Sequence, residues 1–278
     1  MAAKWLVATG QQGLGQEGLS HAAPFFNSIQ PWMGLERTGE NIEADLKQLI
    51  DHADTITAVA YEAYNLGPGG SFVDNNFTNV APALMHAGLK AYAQVSTCCP
   101  WGRPQVIEWA REAAADPKPF VDAAMAAVAA GGFDGYNIDI EPLNGTHADA
   151  EGFNVFLNAL ADALHVHDKF LSVDVGTWTP FFNVSLLAKS RVDAIVLMGT
   201  YTGNWTLFQK FVDEALAAGV MPERLVIGLE TVDPNTNKPF PLAAVEQRLD
   251  YLRARNLRQL AIWDAPIPDA WWPLLRAP

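Results

Sequence analysis

The sequence predicts an α/β fold, a single closed (β/α)8 TIM barrel over residues 1–278 with no insertion domain. Three observations predict it: eight short apolar runs rich in β-branched and aromatic residues, segments of helical spacing between them, and no polar linker or low-complexity tract to divide the chain. A length of 278 residues suits one such domain. An open doubly wound sheet is the rival, but eight repeated strand–helix units without a polar linker suit one closed barrel.

The first strand is read at WLVATG (5–10). A helical segment, NIEADLKQLIDHA (41–53), leads to the second strand, ITAVAYEAY (56–64), and NVAPALMHAG (79–88) leads to the third, LKAYAQVS (89–96). PFVDAAMAAVAAGG (119–132) precedes the fourth, YNIDIE (136–141). Over 151–165, Phe153, Phe156, Leu157, Leu160 and Leu164 fall on one stripe of a helix, which precedes the fifth strand, FLSVDVG (170–176). AIVLMGTY (194–201), RLVIGLE (224–230) and LAIWDA (260–265) complete the eight, with TLFQKFVDEALAAG and AAVEQRLDYLRARN between them. Gly88, Gly131 and Gly219 each stand just before a strand, where a helix C-terminal cap favours a left-handed residue.

Half of the residues are hydrophobic and 18% are charged, the composition of a packed globule. Eighteen basic residues against 31 acidic ones give −13 with no Lys/Arg cluster, so nucleic acid and anionic membranes are excluded as partners by repulsion. Cys98 and Cys99 are adjacent and make neither a disulfide framework nor a zinc site; the six histidines show no metal spacing. No metal or cofactor is implied, and a monomer is expected. No run of 18 apolar residues occurs, and MAAKWLVATG lacks the apolar core of a secretory signal. Against this, Asn-X-Ser/Thr occurs at Asn76, Asn144, Asn183 and Asn204, where 15 Asn and 21 Ser plus Thr predict about one by chance. Coincidence is one reading; a secreted or lysosomal/vacuolar glycoprotein is the other.

The chemistry concentrates in FDGYNIDIEP (133–142). Alternation places Asn137, Asp139 and Glu141 on one side of a strand, with Tyr136, Ile138 and Ile140 on the other. In an isolated strand that polar side would face solvent. In a barrel both sides are covered, so the three groups point into the interior, and the C-terminal ends of such strands are where these folds place their chemistry. Asp139 and Glu141 lie about 6.5–7 Å apart along the strand, near enough for one carboxylate to raise the pKa of the other.

DGYNIDIE (134–141) resembles the DGxDxDxE signature on the fourth strand of family 18 glycoside hydrolases, the chitinases, and is closest to the DGxNxDxE form of the di-N-acetylchitobiases. Fainter similarity covers the second, third, sixth, seventh and eighth strands. The resemblance implies a retaining glycosidase that hydrolyses β-1,4 linkages next to N-acetylglucosamine, in chitin oligosaccharides or the chitobiose core of N-glycans, using the sugar's acetamide as nucleophile. It implies Glu141 as general acid and then base, and Asp139 as the group that orients the acetamide and stabilises the oxazolinium ion. Asn137 stands where the commoner signature has Asp. Trp263 matches the tryptophan beneath the sugar ring, and Asp134 is read as a strand-start residue.

Several departures leave a second function class open, a chitinase-like lectin that binds without turnover. The family places Tyr two residues after the sixth-strand Met and follows it with Asp; here Met198 is followed by Gly199, Thr200, Tyr201 and Thr202, so Tyr201 needs a bulge to restore its aim. Glu230 ends the seventh strand where an aromatic is common. The short span from there to the eighth strand leaves no room for an insertion domain, which predicts a shallow groove and short substrates. Glu62, Gln94 and Asp174 are candidates for sugar hydroxyls, and Trp101, Trp178 and Trp205 for outer subsites. An endo action on N-glycans is a third possibility.

Overall fold

The computed structural model describes residues 23–36, 41–97, 104–233 and 236–278. Eight parallel strands close on themselves: β1 (Ser28–Met33), β2 (Ala58–Gly67), β3 (Lys90–Ser96), β4 (Gly135–Ile138), β5 (Phe170–Val175), β6 (Ala194–Leu197), β7 (Leu225–Glu230) and β8 (Gln259–Trp263). Closure rests on β1, which pairs with β8 from Ser28↔Gln259 to Pro31↔Ile262 and with β2 at Trp32↔Ala60 and Met33↔Tyr61. The α/β barrel is therefore as expected, and no insertion domain interrupts it; β7 and β8 are joined by a two-residue ladder (Val232–Asp233 with Lys238–Pro239) and one helix, Leu242–Ala254.

The first strand differs from the expectation. Residues 5–10 lie outside the described residues, and the barrel's first strand is Ser28–Met33, SIQPWM. Gln30 and Pro31 interrupt its apolar run, and proline lacks a ladder donor, so the segment carries little of a strand's pattern. The sixth strand also ends earlier than read, at Leu197, and the left-handed residue closing the helix Lys118–Gly131 is Gly132 (φ 67°), not Gly131.

One irregularity sets a side chain. The β2–β3 register skips between Glu62↔Gln94 and Tyr64↔Val95, so Ala63 is an extra residue on β2. This bulge lets Glu62 finish the inward series while Tyr64 turns outward, stacking on Phe72 at 4.4 Å and edge-on to Tyr136 at 6.0 Å.

Helices cover the outside with apolar stripes; in His147–His165 the buried set includes Phe153, Phe156, Leu157, Leu160 and Leu164, as the spacing predicts. Tyr136 is sealed in this layer and its hydroxyl donates to Ala124 O at 2.7 Å, which satisfies the only polar atom of its side chain. Inside the barrel, Trp32 packs against Ala60, Ala194, Val196, Val226 and Ala261, one large ring filling the space that small residues on other strands leave.

The four Asn-X-Ser/Thr sites have a folding reason of their own. Asn183 and Asn204 are N-caps whose side chains accept from Leu186 N and Leu207 N, Thr146 caps His147–His165 in a capping box with Asp149, and Asn76 holds a left-handed turn at φ 64°. No described helix is long and apolar enough to cross a membrane.

Candidate active site

Strand alternation brings a column of polar side chains up the barrel axis. Asn137, fully buried on β4, is its hub: its Oδ1 accepts from Trp32 Nε1 at 3.1 Å, and its Nδ2 donates to Ser172 Oγ at 3.0 Å and Asp174 Oδ1 at 2.9 Å. Beyond the end of β4 the chain stays extended, with Asp139 N bonded to Val95 O at 2.9 Å, so Asp139 and Glu141 keep the strand's parity. Gln94 Nε2 donates to Asp139 Oδ2 at 2.9 Å, and Glu141 N donates to Thr97 Oγ1 at 3.2 Å. The strand-start residue Asp134 serves the opposite end, accepting from Ala91 N at 3.0 Å and pairing with Lys90 at 3.1 Å.

Above this column opens a cavity of about 640 Å³, at the C-terminal ends of the strands. Asp139, Glu141, Glu62, Tyr201, Glu230 and Trp263 all reach its wall. Glu62 also braces the loop after β1, its Oε2 accepting from Leu35 N at 2.8 Å and Glu36 N at 3.1 Å. Trp263 stands edge-on to Trp32 with ring centres 5.7 Å apart.

The position of Tyr201 is solved by a turn rather than a bulge. After β6 the chain reverses over Met198–Tyr201, with Tyr201 N bonded to Met198 O at 2.8 Å. Thr200 pins the turn, donating Oγ1 to Leu197 O at 2.6 Å or Gly228 O at 2.8 Å. The extra residue is absorbed and the phenol enters the mouth of the barrel. Gly228 on β7 makes the room: a Cβ there would lie 2.5 Å from Tyr201 Cε1 and 2.4 Å from Leu197 O.

Three residues read from the sequence as site members stand beneath the cavity instead of on its wall. Asn137, Gln94 and Asp174 are 0%, 0% and 1% exposed and do not line the cavity; Gln94 bonds to Asp139, and Asp174 to Asn137. Parity placed them on the correct face; depth along a tilted strand is not a property of parity. Trp32, which ties Asn137 to Trp263 and Tyr201, was not anticipated because its strand was not; a Trp two residues after an inward Gln was the available signal. Trp178 lies on the cavity wall, Trp205 packs against Phe208 and Tyr251, and Trp101 lies outside the described residues, as do Cys98 and Cys99.

Burial dominates the electrostatics. Asp139 is pushed well above the usual carboxyl range, first by desolvation, then by the charge of Glu141, with a hydrogen bond between the two carboxyls acting in the same direction. Asp174 is also raised by burial and by Glu141, while the amide of Asn137 pulls it down. Low-polarity surroundings and the neighbouring carboxylate both favour the protonated form of Asp139. Asp139 Oδ1, Asp174 Oδ2 and Tyr201 Oη are buried with no hydrogen-bond partner among the described residues. Two of them, Asp139 Oδ1 and Tyr201 Oη, belong to residues of the cavity wall and are a place for a polar ligand group.

No protein-family model matches the chain, and neither does any curated protein sequence. Solved structures do resemble it. A chitinase from Chromobacterium violaceum superimposes with a TM-score of 0.73 at 16% identity, over 91% of this chain and 98% of that one. The spore cortex-lytic enzyme SleL of Bacillus cereus gives 0.75 at 12% identity, over 89% and 73%. A group IV chitinase from Ostrinia furnacalis, in complex with allosamidin, gives 0.67 at 17% identity, over 85% and 91%. At these identities the likeness is one of fold, a chitinase-like barrel.

Proposed function

We propose that this chain is a retaining glycosidase of chitinase-like kind, acting on β-1,4 linkages beside N-acetylglucosamine by substrate-assisted catalysis. The observation that carries the reading is the joint emergence of Asp139 and Glu141 into one cavity, facing the same space as Trp263. A sugar ring lies against the indole face of Trp263. Its acetamide N–H is accepted by Asp139, and the amide oxygen attacks the anomeric carbon while Glu141 gives its proton to the leaving oxygen. The C–O bond to the aglycone breaks as the oxazoline C–O bond forms. Water, deprotonated by Glu141, then opens the oxazoline, so charge and atoms balance at both steps.

Gln94 orients Asp139 through a 2.9 Å bond, and the Tyr201 hydroxyl is a donor for the acetamide oxygen. That donor disfavours the lectin reading, whose motive was a misplaced tyrosine. Short chitin oligosaccharides or the chitobiose core fit the open, insertion-free groove. Glu141→Gln keeps the shape of the side chain and removes the transferable proton, so hydrolysis of chitin oligosaccharides falls by at least about 10²–10⁴-fold with the fold intact by circular dichroism. Wild-type rates in that variant would remove Glu141 from the mechanism.

A further inference from the structure

The cavity's acids come from β2, β4 and β7; the stretch of wall between β4 and β7 is apolar. Thr177 and Trp178 follow β5, Met198 and Gly199 follow β6, and Leu207 and Phe211 come from the helix Trp205–Ala217. In that helix the core face is Phe208, Val212 and Ala215. Leu207 and Phe211 each stand one position earlier, off the core stripe, and four residues apart so that they share a side. Leu207 is 38% exposed and Trp178 43%, an apolar surface that the folding of the chain does not use.

Two glycines shape this wall. A Cβ on Gly176 would lie 2.1 Å from the ring of Trp178, and one on Gly199 would lie 2.4 Å from Thr177 Cγ2 and 3.4 Å from the ring of Phe211. Behind Thr177, Gly199 and Phe211 a second space of about 80 Å³ continues between strands and helix; its one charged neighbour, Glu214, is paired with Lys210 at 3.7 Å. The wall's position relative to the chemistry is fixed by Trp178, whose Nε1 donates to Pro142 O at 3.1 Å, the residue after Glu141. The group attached to the oxygen that Glu141 protonates therefore meets this wall first.

We propose that the leaving-group side of the site is an apolar slot, and that the enzyme takes β-glycosides of N-acetylglucosamine, or of its short oligosaccharides, whose leaving alcohol carries an alkyl or aryl group. This rests on the glycosidase reading above and adds the class of aglycone to it. A hydroxyl-rich sugar gains only stacking on Trp178 there, whereas a hydrocarbon chain is removed from water on several sides by Trp178, Met198, Leu207 and Phe211.

The test compares methyl and hexyl β-glycosides of N-acetylglucosamine oligosaccharides, whose alcohols have nearly the same basicity, so the chemical step is matched. Burial of about two methylenes is worth about tenfold, so kcat/KM for the hexyl glycoside exceeds that of the methyl glycoside at least about tenfold, through KM. Leu207→Asn, a change at an exposed position, brings the ratio back toward one. Equal kcat/KM for the two glycosides, or a ratio untouched by Leu207→Asn, overturns the slot. If neither glycoside is hydrolysed, the glycosidase reading fails, and calorimetric binding of the same pair decides the slot separately: about tenfold tighter hexyl binding sustains it and equal binding refutes it.

Discussion

Glu230 offers a prediction whose size follows from its surroundings. Burial, the charge of Asp264 and the charge of Asp233, in that order, push its carboxyl from an ordinary 4.5 up to about 7. Below 4.5 the group is protonated in both the folded and the unfolded chain. As pH climbs from there toward 7 the unfolded chain releases a proton that the folded chain retains, so folding loses free energy, and above 7 the loss is complete. For a group sealed from water that interval of about 2.5 pH units would amount to about 3.4 kcal/mol. Glu230 is only partly buried, and solvent screening reduces the expected penalty to about 1–2 kcal/mol. Glu230→Gln removes the ionisation at nearly constant volume. The variant therefore melts about 2–6 °C above the parent at pH 8 and at the same temperature at pH 4.5, by calorimetry or circular dichroism. A gain of equal size at both pH values, or a loss at pH 8, would refute the assignment of the penalty to a buried, like-charged carboxyl.

Two further substitutions probe the supports of the site. Gly228→Ala forces a methyl to within 2.5 Å of the Tyr201 ring, so the phenol is displaced; about 1–3 kcal/mol of stability is lost, and kcat drops more than KM rises because the aim of the hydroxyl matters at the transition state. Denaturant melts and steady-state kinetics check both halves. Asn137→Leu keeps the volume and leaves Trp32 Nε1, Ser172 Oγ and Asp174 Oδ1 without their partner, at about 2–4 kcal/mol by urea unfolding.

Seven of the eight barrel strands are legible because each is a short apolar run with β-branched or aromatic residues. SIQPWM escapes notice because Gln30 looks inward and Pro31 breaks the apolar run. For the same reason Trp32 was missed, since its role depends on Asn137, 105 residues away. The parity of Asn137, Asp139 and Glu141 was readable from six consecutive letters. Their depth was not: Gln94 and Asp174 face the correct way but sit below the cavity, a consequence of strand tilt that alternation does not encode. The aim of Tyr201 depends on a four-residue turn pinned by Thr200 against Leu197 O and Gly228 O, contacts that no local pattern announces. The apolar wall was half visible, because Leu207 and Phe211 stand one position off a stripe that was itself readable.

The account turns on whether Asp139 and Glu141 work together on a sugar that supplies its own nucleophile. The most direct measurement is the anomeric configuration of the sugar first released from a chitin oligosaccharide, followed by proton NMR before mutarotation. Attack by the acetamide and then by water inverts the anomeric carbon twice, so the first product is the β-anomer. An α-anomer would mean that water displaces the leaving group in one step, and the roles assigned to the two acids would have to be abandoned.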